Sequence, residues 1–348
     1  MGISDILGTA GIMISTAGNI LERESSLSVE AAVDRLEAAI RWEGFNLIGK
    51  HDLAASMAKE GIQRPPYLVV EACHPYIAAS VLDTAPSLGS MMPCAFAVFP
   101  RDGKTVLSTI RTPKLAELAG APEEVVKQAA MVDEAMERMM AWVAEPDLQT
   151  QELQWNEATE FYKVALFATG SADTLMASNS LAAFSRSWGR FKAPGSASES
   201  TKGTQLWSET NRMIDAARSH VGNGEFREAH ETLEPIRQLW RQYRMANTKA
   251  ARFDRLTTYH EAMEALIGAA SESNAEQARL TTLTANLMQS WAELKGDLEA
   301  NWSEIRRTQW DRLILINQKA IDAWISAKTV DSARALKPEF QKLFMAFG

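Results

Sequence analysis

After Glu145-Pro146 the chain changes period. Before that point, short apolar runs such as "YLVVEAC", "CAFAVFP" and "TVLSTI" recur between turn signals; beyond it, apolar residues recur three or four apart, and eight of the ten tryptophans lie there. A period of two builds sheet and a period near 3.6 builds helix, so the two stretches cannot share one architecture. The expected fold class is an α+β domain with a mostly antiparallel sheet, followed by an all-α helical bundle. A length of 348 residues allows two or three units of this kind. The expected divisions are an N-terminal segment at 1–24, the α+β domain at 25–145 and the bundle at 146–348, with "APGSASESTKGT" at 193–204 as a linker or exposed loop.

Within the first part, Val29, Ala32, Val33, Leu36, Ala39 and Ile40 recur at helical spacing, with Ser28 as N-cap and Gly44 as the stop. "FNLIG" (45–49) reads as a strand with His51 at its end, "DLAASMAKEG" as a short helix, and "YLVVEAC" (67–73) as a second strand. "PYIAASVLD" is a helix opened by Pro75. "CAFAVFP" and "TVLSTI" then form a hairpin, because Asp102-Gly103 between apolar runs suits a two-residue turn. A long helix follows, with Pro122 in its first turn and two glutamates at its positive end.

From Ser28 to about Gly120 the chain resembles the domain-of-unknown-function 302 family. The resemblance is carried by "SVEAAVDRLEAAIRWEGFNLIGKHDLAA", by the strand, Cys-x-Pro turn and helix of "VVEACHPYIAASVLD", and by the Pro-Cys strand entry of "SLGSMMPCAFAVF". It implies a small α+β fold and a tendency to dimerise, with no established reaction. The family's features of interest fall on His51, Cys73, Pro75, Pro93 and Cys94, whereas His74 is not expected at its position.

Cys73 and Cys94 are the only cysteines. A strand ending at Cys73, a helix leading out and a strand starting at Cys94 make the two neighbours if the strands pair antiparallel, the arrangement that fits the resemblance. A parallel crossover would leave them a strand length apart. Neighbouring thiols close in sequence to His74, Met91 and Met92 form a soft donor set suited to copper, haem iron or a sulfur species. The absence of any Cys-x-x-Cys pair argues against structural zinc. Two small buried residues at strand ends would look the same in sequence. Thiol catalysis would need His51 or His74 beside a cysteine.

The helical half offers a second, weaker metal constellation. His230-Glu231-Thr-Leu-Glu234 and His260-Glu261-Ala-Met-Glu264 repeat one pattern, and His and Glu four apart share a helix face. If the chain turns back near Asn247-Thr248, Glu234, His260 and Glu264 converge; if residues 225–270 form one helix, His230 and His260 stand about 45 Å apart. Ordinary salt-bridged helix faces would give the same pattern. Leu206 to Val221 reads as a helix ended by Gly222-Asn223-Gly224, followed by a stripe of Phe226, Ala229, Leu233, Ile236, Trp240 and Tyr243. A longer stripe of Leu280, Leu283, Leu287, Trp291, Leu294, Leu298, Trp302 and Ile305 reads as bundle or coiled-coil geometry.

Composition narrows the partners. A net charge of −8 with scattered Lys and Arg gives no footprint for nucleic acid. The opening residues suit neither a secretion signal nor a spanning helix, which makes the chain cytoplasmic, or periplasmic or extracellular if a signal was removed. The functional expectation is a non-catalytic binding protein with a thiol-centred soft-ligand site and a helical region that docks a protein partner. The alternatives are an accessory or scaffold subunit that dimerises and binds no ligand and, third, a cysteine-dependent enzyme.

Overall fold

The computed structural model describes residues 16–144, 151–191, 201–247, 252–300 and 304–347. The chain divides into two units, Met1–Pro146 and Asp147–Gly348.

In the first unit the described strands are β1 (Ile20–Ser25), β2 (Asn46–Asp52), β3 (Leu68–Cys73), β4 (Cys94–Arg101) and β5 (Lys104–Ile110), joined as one antiparallel sheet in the order β1-β5-β4-β3-β2. The β4–β5 turn follows from its residues: Asp102 and Gly103 both take positive φ, 52° and 78°, and Arg101 faces Lys104 across them. The described helices of this unit are α1 (Thr16–Asn19), α2 (Val29–Trp42), α3 (Leu53–Ala58), α4 (Pro75–Thr84), α5 (Thr112–Leu118) and α6 (Glu123–Ala144). The Ser28 side chain caps α2 by accepting from Ala31 N–H, and Gly44 ends its run with φ 83°. Helix α2 packs on β2, β3 and β4, so Ala32, Leu36, Ala39 and Ile40 are buried with Val70, Ala72, Phe96 and Val98. Each large apolar side chain sealed there contributes about 1.5–3 kcal/mol.

β1 departs from the expected N-terminal segment. It pairs with β5 from Ile20↔Ile110 to Ser25↔Thr105. Only Leu21 and Ser25 of this edge strand are buried, with Glu22, Arg23 and Glu24 exposed between them, so no apolar alternation marks it. His51 lies within β2 rather than beyond it, because the strand runs on to Asp52, whose side chain caps α3 by accepting from Ala55 N–H.

The second unit is helical throughout its described residues: α7 (Gln151–Gly170), α8 (Thr174–Arg190), α9 (Thr201–Gly222), α10 (Phe226–Leu233), α11 (Pro235–Asn247), α12 (Arg252–Ala270), α13 (Gln277–Ala300), α14 (Glu304–Ala327), α15 (Val330–Arg334) and α16 (Leu336–Phe347). The stretch 151–191 is a helical hairpin. Ala172 at φ 55° turns the chain, and Asp173 caps α8 by accepting from Met176 N–H at 2.9 Å. Of the expected linker, residues 201–204 belong to α9 and 193–200 lie outside the described residues.

An aromatic cluster forms the core here. Trp240 stacks on Trp188 at 5.1 Å and meets Trp155 edge-on at 5.2 Å, with Tyr162, Phe184 and Phe253 around it. The long Leu/Trp stripe turns inward as well: Leu280, Leu287, Trp291, Leu294 and Ile305 are buried, and Trp291 donates to Gln318 on α14 at 2.8 Å. Leu298 and Trp302 of that stripe lie outside the side chains described. No helix among the described residues is long and apolar enough to cross a membrane.

Candidate functional site

The cysteines meet at the ends of neighbouring strands. Antiparallel β3 and β4 place Cys94 opposite Ala72, one residue before Cys73, and both thiols are free. Strand side chains alternate between faces, so this register sends Cys94 to the face of Ala72 and Cys73 to the other. Burial pushes the Cys94 thiol up to about 12, with nearby Cys73 and Asp133 adding to the effect, and burial raises Cys73 too. Both are therefore thiols at neutral pH, the form that neither attacks nor ligates.

The other residues of that constellation disperse. His74 is buried and caps α4, its Nδ1 accepting from Ile77 N–H at 3.4 Å, with Phe45 edge-on at 5.2 Å. Met91 closes a 3₁₀ turn (Pro86–Met91) and Met92 follows it, both half-buried on the approach to Cys94. His51 pairs with Glu71 at 3.1 Å, and Gly49 leaves room for that pair, since a Cβ there would meet both side chains at 2.8 Å. His51 stands opposite Val69 in the sheet, four residues from Cys73 along β3, which is about 13 Å. It is too far to act as that thiol's base.

The second constellation assembles. Arg241 pairs with Glu261, and Arg244 with Asp254, contacts that one straight helix would hold some 30 Å and 15 Å apart. Helix α12 therefore folds back along α11, and residues 225–270 are not one helix. The α10–α11 stripe is interrupted at Glu234, because Pro235 lacks an N–H, yet Glu234 keeps helical φ and ψ of −50° and −43°. His230, Glu234, His260 and Glu264 all line one cleft of about 900 Å³. Its remaining walls come from the end of α7 (Leu166, Phe167, Gly170) and from α16 (Lys337, Phe340, Phe344). Gly170 allows the close approach, since a Cβ would stand 3.3 Å from the His230 ring.

The polar wall is a set of coupled charges. His230 Nε2 lies 3.3 Å from Glu234, while its Nδ1 faces the Leu166 carbonyl oxygen at 3.0 Å. Both of these partners only accept, and a neutral imidazole has one N–H, so together they favour the imidazolium, although the Thr169 hydroxyl also lies 3.4 Å from Nδ1. The Glu234 contact accordingly raises the His230 pKa against the opposing effect of burial. Burial alone would raise Glu234, but His230, Arg237 and the more distant His260 together bring it below its usual value. His260 Nε2 lies 3.5 Å from Glu264, and Glu264 also meets Lys337 at 2.8 Å. The His260 contact, opposed by burial and helped by Lys337, holds the Glu264 carboxyl down at about 2.

Each histidine meets the glutamate four residues on along its own helix, and the four do not form a ligand shell. Among the described residues no group of three or more His, Cys, Asp or Glu side chains is placed to hold a metal ion. The pattern of His and Glu four apart was visible in the sequence. Lys337, Phe340 and Phe344 were not, since only the fold brings "KPEFQKLFMAF" (337–347) to this cleft.

A raised pKa makes the His230 contacts pH-dependent. Their contribution to stability is complete below the unfolded value of about 6.5 and is lost as pH rises through the higher folded value. In thermal unfolding between pH 5 and 9, His230→Gln is expected to be less stable than the wild type at pH 5, with the gap closing as pH rises. A gap that stays constant across the range would remove the imidazolium from this account.

A five-stranded antiparallel sheet backed by α2 and α6, with a cysteine at each end of the β3–β4 connection, defines the first unit as an α+β domain. Residues 21–143 match the model of "Domain of unknown function DUF302", and this part of the chain is a domain of that family. The match takes in β1 and α6, beyond the stretch where the motifs lie. The crystal structure of an uncharacterized conserved DUF302 protein from Bacillus stearothermophilus is similar at 20% identity, with a TM-score of 0.35, covering 36% of this chain and 98% of that one. The helical unit matches no family model. No curated protein matches the chain.

Proposed function

We propose that this chain is a non-catalytic binding protein whose ligand site is the cleft of the helical unit. The observation that carries the reading is the cleft itself, about 900 Å³ with aromatic walls and a few convergent polar groups. Small-molecule sites have this size and composition. The thiol pair has less support as a ligand site, because a soft metal would have to displace two protons that burial holds in place and bridge two faces of a sheet. Cysteine catalysis has less still, with His51 far along the strand and His74 committed to capping a helix. A scaffold role through the Leu/Trp stripe loses most of its surface to the unit's own core.

A fragment library screened by thermal shift tests the reading. Ser171 is exposed at the cleft, so Ser171→Trp fills the cleft without entering the core. Hits on the wild type are expected to disappear in Ser171→Trp and to persist in the Cys73→Ser, Cys94→Ser double variant. Hits that survive Ser171→Trp, hits that depend on the cysteines, or a screen without hits would each count against it.

A further inference from the structure

Resting on the cleft reading, we infer that its ligand is an organic monoanion with an apolar body, of the chemistry of a medium-chain or aryl carboxylate. The charge pattern of the wall carries this. Each carboxylate there has a fixed cation of its own: Arg227 meets Glu231 at 2.8 Å, Lys337 meets Glu264 at 2.8 Å, and Arg237 pairs with Glu234. Lys163, which also lines the cleft, is matched by buried Glu160 at 2.9 Å. His230 comes in addition, and its ring meets the Glu234 carboxylate through Nε2 and the Leu166 carbonyl through Nδ1, contacts that favour the protonated ring. With its permanent charges matched, the wall takes on surplus positive charge as His230 is protonated, in a chain whose net charge is −8. A cation would meet repulsion there, whereas an anion completes the charge balance.

Accessible cations stand ready to supply that contact. The side chains of Arg227 and Lys337 are 84% and 52% exposed, and exposed pairs of this kind contribute little to stability. Either can swing from its carboxylate to a ligand's, as a flexible stem allows. Beside them in the same cleft, Phe226, Phe340, Phe344 and Leu166 offer an aromatic and aliphatic surface. Phe167, 48% exposed, extends that surface. Charged groups and rings lining one cleft match an amphiphile better than a sugar or a free metal ion.

Calorimetric titration of the full chain with decanoate, decan-1-ol and decylammonium tests the inference, since the three share a tail and differ in head-group charge. Decanoate is expected to bind with one saturable site, at least about tenfold tighter than the alcohol, with decylammonium weakest. Lys337→Met and His230→Gln should each weaken decanoate by about three- to tenfold and leave the alcohol unchanged, and Ser171→Trp should abolish binding of all three. Equal affinity for decanoate and decanol, or tightest binding of decylammonium, overturns the anion while leaving the cleft as a ligand site. Decanoate binding that survives Ser171→Trp overturns the inference by placing the anion elsewhere. No binding of any of the three overturns it as well, and fragment hits that Ser171→Trp removes would then keep the cleft reading standing on its own.

Discussion

Asp254→Ala lowers the stability of the helical unit by about 3–5 kcal/mol, the range for stripping one partner from a buried ion pair. The Asp254 and Arg244 side chains are 2% and 3% exposed. The carboxylate receives Arg244 Nε at 3.0 Å on each oxygen and the terminal nitrogen at 2.6 Å. The guanidinium also lies over two aromatic rings, 4.6 Å from the Trp155 centroid and 5.3 Å from the Phe253 centroid. Removing Asp254 therefore takes the carboxylate away from a buried charge beside aromatic rings. The double variant Arg244→Met, Asp254→Leu removes both charges at similar volume and is expected to recover to within about 1 kcal/mol of the wild type. Urea unfolding followed by tryptophan fluorescence measures both. Equal losses in the single and double variants would mean that the pair's packing matters rather than its charge.

That pair also explains why the turn between α11 and α12 could not be read from the sequence. From Arg244 to Arg255 there is no Gly or Pro, and the apolar spacing runs on through Phe253 and Leu256. Local signals fit one helix as well as two; only the contacts Arg244–Asp254 and Arg241–Glu261 distinguish them. Where turn chemistry is explicit, as at Asp102-Gly103 and Gly222-Asn223-Gly224, the elements fall where the residues place them. β1 went unread for a different reason: an edge strand with two buried positions has too little pattern to detect.

The sites follow the same division. Antiparallel pairing of β3 and β4, one of the two arrangements the sequence left open, makes neighbours of Cys73 and Cys94. The pleat that separates their faces and the burial that holds their protons are properties of packing, which spacing does not express. The His-Glu repeats were apparent at once because both residues of each pair lie on one helix. Their convergence required the fold-back, and the pairing of Glu264 with Lys337 draws on a residue 73 positions away.

The same core governs the second large effect. Trp240→Ala is expected to destabilise the helical unit by about 3–5 kcal/mol, in the range for deleting a large ring from a packed interior. Trp240 is fully buried, and its indole N–H donates to the Thr210 hydroxyl at 3.1 Å, tying α11 to α9. Its ring contacts reach α7 through Trp155 and Tyr162, α8 through Phe184 and Trp188, and α12 through Phe253. One side chain thus joins five helices, and surrounding rings that hold one another cannot collapse to fill its volume. Trp240→Phe keeps the stacking but leaves the Thr210 hydroxyl without its donor, for a smaller loss of about 1–3 kcal/mol. The cleft is lined by other residues, so Trp240→Phe should bind decanoate like the wild type while melting at a lower temperature. A Trp240→Phe protein that lost decanoate binding while still folded would show that the aromatic core and the cleft are one coupled element.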